Sequence, residues 1–124
     1  TFYNFDSGYG LDYTVDVSQP EGQRVSVHSL SDDRDFNPER VYRVAVNSYR
    51  ANGGGGHLTE GAGLTKEQID RRIQRIEDQD VRFLIRKYIS QDDSLKLDLH
   101  RNWQVMPAEW WKKSKPVDSL LLFK

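Results

Sequence analysis

A run of four glycines, residues 53–56, constrains this chain most, because residues without a Cβ adopt left-handed backbone conformations and allow close approach. The segment before it, residues 41–49, is rich in β-branched and aromatic residues, which predicts a centrally placed strand. Glycines at the end of such a strand can present backbone N–H groups to a ligand. Their composition also fits a flexible linker. Since structure is predicted on both sides, we interpret the run as a ligand-binding loop.

The composition describes a small chain with no dominant charge. Its 124 residues suffice for one domain with a single modest core, so we expect one domain over residues 1–124. Eighteen basic and nineteen acidic residues give a net charge of −1, which does not favour a nucleic acid polymer. Without cysteine, disulfides and thiolate chemistry are excluded. The longest apolar run, residues 120–123, is too short to span a bilayer. Lacking an initiating methionine and a signal peptide, the chain is expected to be a piece of a longer protein.

The N-terminal third predicts a meander of strands. Apolar and polar residues alternate over residues 11–17 and again over residues 24–28, around a turn that contains Pro20 and Gly22. The short connection predicts that these two strands pair as a hairpin. Asn37 followed by Pro38 predicts one helical turn before the central strand.

After the glycines, apolar residues recur at the spacing that is typical of helices. Thr65 and Gln68 have capping-box spacing and predict a helix, and Asp80 predicts the N-cap of a second one. Residues 95–99 and 103–106 then alternate as a further strand that ends at Pro107, and the tail, residues 108–124, is interpreted as ending in an edge strand. The predicted fold class is α+β, with a mixed, mainly antiparallel sheet of about four to five strands and two helices after the glycine loop. The expected common core consists of Val15, Val27, Val44, Val46, Leu84, Ile85 and Ile89.

No catalytic apparatus is visible in the sequence. His28, His57 and His100 lie on separate predicted elements without the spacing of a zinc site. Ser29 and Ser48 lack the surroundings of a nucleophile elbow. The arginines of the two helices alternate with acids, as on a solvated, salt-bridged face. Residues 110 and 111 are both tryptophans. They fit either a surface on which a sugar or a partner stacks, or an arrangement with one ring buried and the other exposed.

Aromatic residues surround a glycine-containing turn just before the first strand. Tyr3, Phe5 and Tyr9 flank residues 6–8, and such rings can stack on a flat ligand such as a nucleobase. The alternative is that they close one end of the sheet. From the residues alone, the chain is a small domain with a glycine-lined backbone site and nearby aromatic rings.

Five segments occur in an order that resembles the C-terminal domain of the 5'-nucleotidase family, the two-domain metallophosphatases that act on nucleotides and UDP-sugars. They are residues 5–8, 11–16, 20–25, 42–47 and 53–56, which read FDSG, LDYTVD, PEGQRV, YRVAVN and GGGG. A helix that ends in Tyr88 and Ile89 matches the family pattern as well. The resemblance covers about residues 5 to 106, which would form the second part of such a domain.

The resemblance implies a division of labour between two domains. In the family, the N-terminal domain holds two divalent metal ions and the catalytic residues, while the C-terminal domain stacks the base between two aromatic rings. By position, Phe5 resembles the first ring and Asp80 the acid that reaches the ribose. The implied substrate-binding set is Phe5, Ser7, Gly8, Asn47, Gly53, Gly54, Gly55, Gly56 and Asp80.

Three departures from the family pattern affect this set. Gly55 replaces an aspartate and His57 replaces a tyrosine. The second stacking ring would fall within residues 77–79, and none of these is aromatic. The arginines that read the phosphate lie upstream of the matched stretch and are absent from this chain.

Two functions therefore remain open. In the first, the chain is the nucleoside- or nucleotide-recognition domain of a periplasmic or extracellular 5'-nucleotidase-like phosphohydrolase. It would partner the metallophosphatase domain of the same parent, without cofactor, activity or transmembrane segment of its own. In the second, it is a non-catalytic binding or interaction module that kept the fold and lost the base clamp.

Overall fold

The computed structural model describes residues 6–76, 78–91 and 100–122, which group into two compact units. The first unit contains the residues up to 41 and those from 99 onwards, and the second contains residues 42–98. Each unit has its own secondary structure. The expectation of one domain over residues 1–124 stays a prediction.

The first unit is built on a mixed sheet of three strands. Strands β1 (Leu11–Asp16), β2 (Val25–Leu30) and β3 (Trp103–Met106) lie in the order β2-β1-β3. β1 pairs antiparallel with β2, which confirms the predicted hairpin, and parallel with β3. The α+β class with a mixed sheet is confirmed, with three strands in the described part of the chain rather than four or five. The strand predicted at residues 95–99 lies outside the described residues.

Tyr13 forms the centre of this unit. Its ring is buried on β1 and stacks on Trp103 of β3, with 6.2 Å between centroids and an interplanar angle of 13°. The Tyr13 hydroxyl accepts a hydrogen bond from the Gly8 N–H at 3.0 Å. The side-chain amide of Asn102 donates to the carbonyl oxygens of Gly8 and Leu11 at 2.8 and 2.7 Å. These bonds tie the turn before β1 to the beginning of β3.

The tail is helical, so the edge strand predicted there is wrong. Helix α4 (Ala108–Leu122) begins directly after Pro107, which ends β3 as expected. Ala108, Glu109 and the following lysines favour a helix over a strand, and the helix continues through Pro116. Trp110 and Trp111 are both exposed, with 51% and 43% of their surface accessible, so the pair does not split into one buried and one exposed ring.

The second unit contains short helices on both sides of the glycines. Helix α1 (Ser48–Ala51) is followed by a 3-10 turn (Gly54–Gly56) and a single π-helical turn (His57–Gly61). Helices α2 (Lys66–Arg72) and α3 (Val81–Ile89) follow, as predicted. The capping box at Thr65 and Gln68 is confirmed, with bonds of 3.2 and 2.8 Å, and so is the N-cap of α3 at Asp80.

The central strand predicted at residues 41–49 is wrong. Residues 41–47 carry no secondary structure, and residues 48–49 belong to α1. Val41 and Val44 are 95% and 77% exposed. β-branched residues favour a strand only where a neighbouring strand offers hydrogen bonds and packing. The central position of the sheet, which was predicted for residues 41–49, is occupied by β1, with β2 and β3 on its two sides.

The common core predicted from the sequence is also wrong. Among the described residues, the buried apolar side chains are Tyr13 in the first unit and Ile69 on α2 in the second. The apolar face of α3 follows the predicted period but is not covered, because periodicity identifies a face and not what packs on it. The predicted core residues are half-buried at Val15 and Val27 and exposed at Val44, Val46, Leu84, Ile85 and Ile89.

The helical turn predicted at residues 37–40 is a hydrogen-bonded turn instead. The Asn37 side chain accepts from the Glu39 N–H at 2.9 Å, and the Asn37 carbonyl accepts from the Arg40 N–H at 3.1 Å. Asn37 therefore caps the local backbone as expected, although the chain does not continue into a helix.

Candidate functional site

The candidate site is the loop that contains the four glycines, and it begins at Asn47. Asn47 has an extended backbone, with φ −73° and ψ 164°, and its side-chain oxygen accepts the Arg50 N–H at 2.8 Å. This N-cap starts α1 directly after the extended segment. The side chain of Asn52 donates to the Ser48 carbonyl at 2.9 Å and closes the other end of the helix. The predicted site residue Asn47 thus fixes where the loop begins.

The backbone of the loop requires glycine at three of its four glycine positions. Gly53, Gly55 and Gly56 have φ of 88°, 72° and 73°, in the left-handed region that side chains with a Cβ rarely adopt. The Gly53 carbonyl accepts the Gly56 N–H at 3.2 Å, so the chain turns back on itself within four residues. The glycines form an ordered turn, which argues against the linker interpretation.

Gly54 is required for a different reason, which is close packing against an aromatic ring. A Cβ at Gly54 would lie 2.5 Å from two ring atoms of Tyr49, well inside van der Waals contact. Its φ is outside the left-handed region, so the constraint is steric. The ring of Tyr49 therefore lies directly on the backbone of the loop.

Arg50 is a buried charge that organises the same loop. It is 8% exposed, and its Nη1 donates to the Gly54 carbonyl at 3.0 Å. Its guanidinium carbon lies 5.3 Å from the centroid of the Tyr49 ring, within the range of a cation–π contact. Neither Tyr49 nor Arg50 was predicted as a site residue. Arginine is normally exposed, so a single arginine carries no sequence signal of burial.

The segment after the glycines folds back onto them. The Nδ1 of His57 lies 3.1 Å from the Gly55 carbonyl, and the His57 carbonyl accepts the Ala62 N–H at 3.0 Å. A Cβ at Gly56 would be 3.1 Å from the Glu60 side chain. His57 stands where the resemblance expects a tyrosine, and here it fixes the loop through its hydrogen bond.

A short polar chain joins the loop to α2. The ammonium group of Lys66 lies 3.2 Å from the Asn52 side-chain oxygen and 2.7 Å from an Asp70 carboxylate oxygen. Both partners are exposed, so the pair contributes little energy on its own. Through its contacts with Asn52 and Asp70, Lys66 links the end of α1 to the first turn of α2.

The Asp80 side chain caps the N-terminus of helix α3. Its carboxylate accepts the Arg82 N–H at 2.7 Å and lies 4.0 Å from the Arg82 guanidinium. These contacts begin α3 and involve both oxygens of an exposed carboxylate. The role in ribose binding that the resemblance implies for Asp80 stays a prediction.

The remaining predicted site residues are in the other unit. Ser7 is exposed, and Gly8 is held by Tyr13 and Asn102 as described above. Tyr9 is 78% exposed and packs edge-on against His100, with 5.3 Å between ring centroids. Phe5 lies outside the described residues. The binding roles that the resemblance implies for these residues stay predictions.

The histidines and acids do not assemble into a metal site within the described part of the chain, where no three or more such groups could hold an ion. His28 pairs with the Thr14 hydroxyl across the hairpin. Among the helices of residues 6–76, 78–91 and 100–122, none has the length and apolar character of a membrane span.

Comparison with known proteins points to one family. Residues 2–60 match the family model described as "5'-nucleotidase, C-terminal domain". The chain is also 28% identical, over 119 residues, to the trifunctional nucleotide phosphoesterase protein YfkN of Bacillus subtilis strain 168. That alignment covers 86% of this chain and 8% of the relative, so the chain spans a small part of the relative's length. No solved structure matches the chain.

Proposed function

We propose that the chain recognises the nucleoside or nucleotide substrate of a 5'-nucleotidase-like phosphohydrolase, because residues 2–60 match the family model of the 5'-nucleotidase C-terminal domain. The observation that carries the proposal is the glycine loop, which lies inside the matched stretch and is an ordered turn. The loop is already ordered and lies beside an aromatic ring. It can therefore bind a flat ligand without the loss of conformational entropy that ordering a flexible loop would require.

The proposal assigns the chemistry to a separate domain of the same parent. A metallophosphatase domain with two divalent metal ions would supply the hydrolytic step, and this chain would supply binding. The relative YfkN is itself named a nucleotide phosphoesterase, and this chain aligns with only 8% of it. A periplasmic or extracellular location is part of the same proposal.

Titration of the 124-residue chain with adenosine and with AMP, followed by amide NMR, tests the proposal. We expect adenosine to shift the amides of residues 53–57 and those around Asp80. AMP is expected to bind no better than adenosine, because the phosphate-reading arginines of the family are absent from this sequence. Shifts confined to other parts of the chain, or no shifts at all, would reject nucleoside recognition.

Asp80 provides a sharper test, since its helix cap and its proposed contact with ribose can be separated. An Asp80→Asn variant keeps a side-chain oxygen for the cap and loses the carboxylate. We expect α3 to remain intact in this variant while the affinity for adenosine falls. Asp78→Asn is the matched control, because Asp78 is also exposed and lies outside the cap. Equal affinities for adenosine in both variants would remove Asp80 from the site.

The alternative function, a non-catalytic interaction module, is favoured by the exposed face of α3. Val81, Ile85 and Tyr88, which share one face of this helix, are 56%, 53% and 70% exposed. Exposed apolar surface of this kind is typical of a surface that contacts another protein. Adenosine shifts at the glycine loop would favour recognition of the substrate, and their absence would favour the alternative.

A further inference from the structure

The ring of Tyr49 combines close packing on the glycine loop with exposure to solvent. It is fixed against the backbone of the glycine loop, and it still exposes 59% of the residue surface to solvent. An exposed tyrosine normally rotates freely and loses conformational entropy when it binds a ligand. At Tyr49 much of that entropy is already lost before any ligand arrives.

Two contacts hold the ring, and they are joined to each other. Gly54 offers a surface without a Cβ on which the ring lies, and Arg50 places its guanidinium 5.3 Å from the ring centroid. Arg50 also donates to the Gly54 carbonyl at 3.0 Å, and it is buried. The ring, the guanidinium and the loop backbone therefore form one small cluster within the second unit, and its outer surface is aromatic.

We propose that Tyr49 is the aromatic platform on which the nucleobase stacks, and that Arg50 is the positioning residue that holds the ring and the loop together. This inference rests on the proposed function and names a residue for it. Tyr49 provides a stacking surface inside the glycine loop, next to the backbone that the ligand would approach.

The direct test is a nuclear Overhauser measurement on the wild-type chain with adenosine. We expect contacts between the adenine H2 and H8 protons and the ring protons of Tyr49. In Tyr49→Phe the same contacts are expected at the same affinity, because the ring is retained. In Tyr49→Leu the affinity should fall by about 5- to 150-fold, the range that loss of one stacked base corresponds to.

Tyr88→Leu is the matched control, because Tyr88 is 70% exposed on α3 in the same unit. Its affinity for adenosine should equal that of the wild type. In Arg50→Met, the adenine contacts to Tyr49 should weaken while the amides of α2 and α3 stay in place. A general loss of structure would instead move the amides of both helices.

The outcomes separate this inference from the proposed function. Adenosine that binds the wild type but contacts only other rings would overturn the platform and leave nucleoside recognition standing. Equal affinity in Tyr49→Leu and Tyr88→Leu would also overturn it. If adenosine does not bind the wild type at all, the proposed function fails and the platform fails with it.

Discussion

At the scale of single residues, the four glycines are not equivalent, and Gly54 allows a clean test of packing. Gly54→Ala places a methyl group where the Tyr49 ring lies, without any demand on φ. We expect a loss of about 1–3 kcal/mol in the free energy of unfolding, measured in urea, because the ring must move away. In Gly61→Ala the new methyl would be 3.7 Å from the nearest atom, so this control should be close to neutral. Equal stability of the two variants would show that Tyr49 does not pack on the loop.

Asp16 offers a second test at this scale, through its pKa. The hydroxyl of Ser18 donates to the Asp16 carboxylate at 2.6 Å, its N–H donates at 3.0 Å, and the Gln19 amide donates at 3.2 Å. These bonds favour the charged form and hold the pKa of Asp16 below its ordinary value of 3.8, with the Ser18 hydroxyl as the largest cause. Ser18→Ala should therefore raise the pKa of Asp16 more than Gln19→Ala does, as measured by NMR titration.

The sign of the accompanying pH effect follows from the lowered pKa. A carboxyl group whose pKa is lower in the folded state stabilises that state above its unfolded pKa. The contribution from Asp16 is therefore present above about pH 3.8 and is lost as the pH falls through the folded value. An Asp16 pKa that does not respond to Ser18→Ala would contradict the hydrogen-bonded turn.

At the scale of elements, α2 depends on its capping box. Thr65 and Gln68 each satisfy a backbone N–H that the first turn of the helix leaves without a partner. Thr65→Ala should lower the free energy of unfolding by about 1 kcal/mol, while Thr65→Ser keeps the oxygen and should be nearly neutral. Chemical denaturation of both variants measures the difference. If Thr65→Ser is as unstable as Thr65→Ala, then the methyl group rather than the hydroxyl matters.

The same scale shows which parts of the fold the sequence can predict. The caps at Thr65 and Asp80 and the hairpin of β1 and β2 were predicted correctly, because each depends on residues close together in the chain. The strand at residues 41–49 was not, because strand formation depends on an available edge elsewhere. The edge strand in the tail failed because the helix propensity that begins at Ala108 extends through the leucines.

The candidate site likewise contains a part that the sequence predicted and a part that it did not. The glycine loop was predicted from composition and position, and its left-handed backbone follows from the absence of Cβ atoms. Tyr49 and Arg50 were missed because their importance depends on contacts with Gly54 that no sequence period encodes. Asp80 was predicted twice, as a cap and as a ligand residue, and the structure bears on the cap.

At the scale of the whole molecule, we predict that the 124-residue chain alone does not hydrolyse AMP or UDP-glucose with any divalent metal ion. Hydrolysis of a phosphate ester needs a metal ion or equivalent charge stabilisation, and the three histidines of the sequence lack ligand spacing. Release of phosphate with magnesium, manganese, cobalt or zinc is the measurement. Turnover that falls when a residue of the glycine loop is replaced would contradict the prediction, whereas turnover that no substitution affects would identify a contaminant.

The last prediction concerns the stability of the chain, which has few buried apolar side chains among its described residues. Ile69 is 4% exposed and Val44 is 77% exposed. Ile69→Val removes one methylene from a buried site and should lower the free energy of unfolding by about 0.5–1.5 kcal/mol. Val44→Ala removes two carbons from an exposed site and should cost less than about 0.5 kcal/mol. Urea denaturation of both variants measures the two free energies of unfolding to be compared. A larger cost at Val44 would mean that residues 41–47 are packed in solution, as a central strand would be.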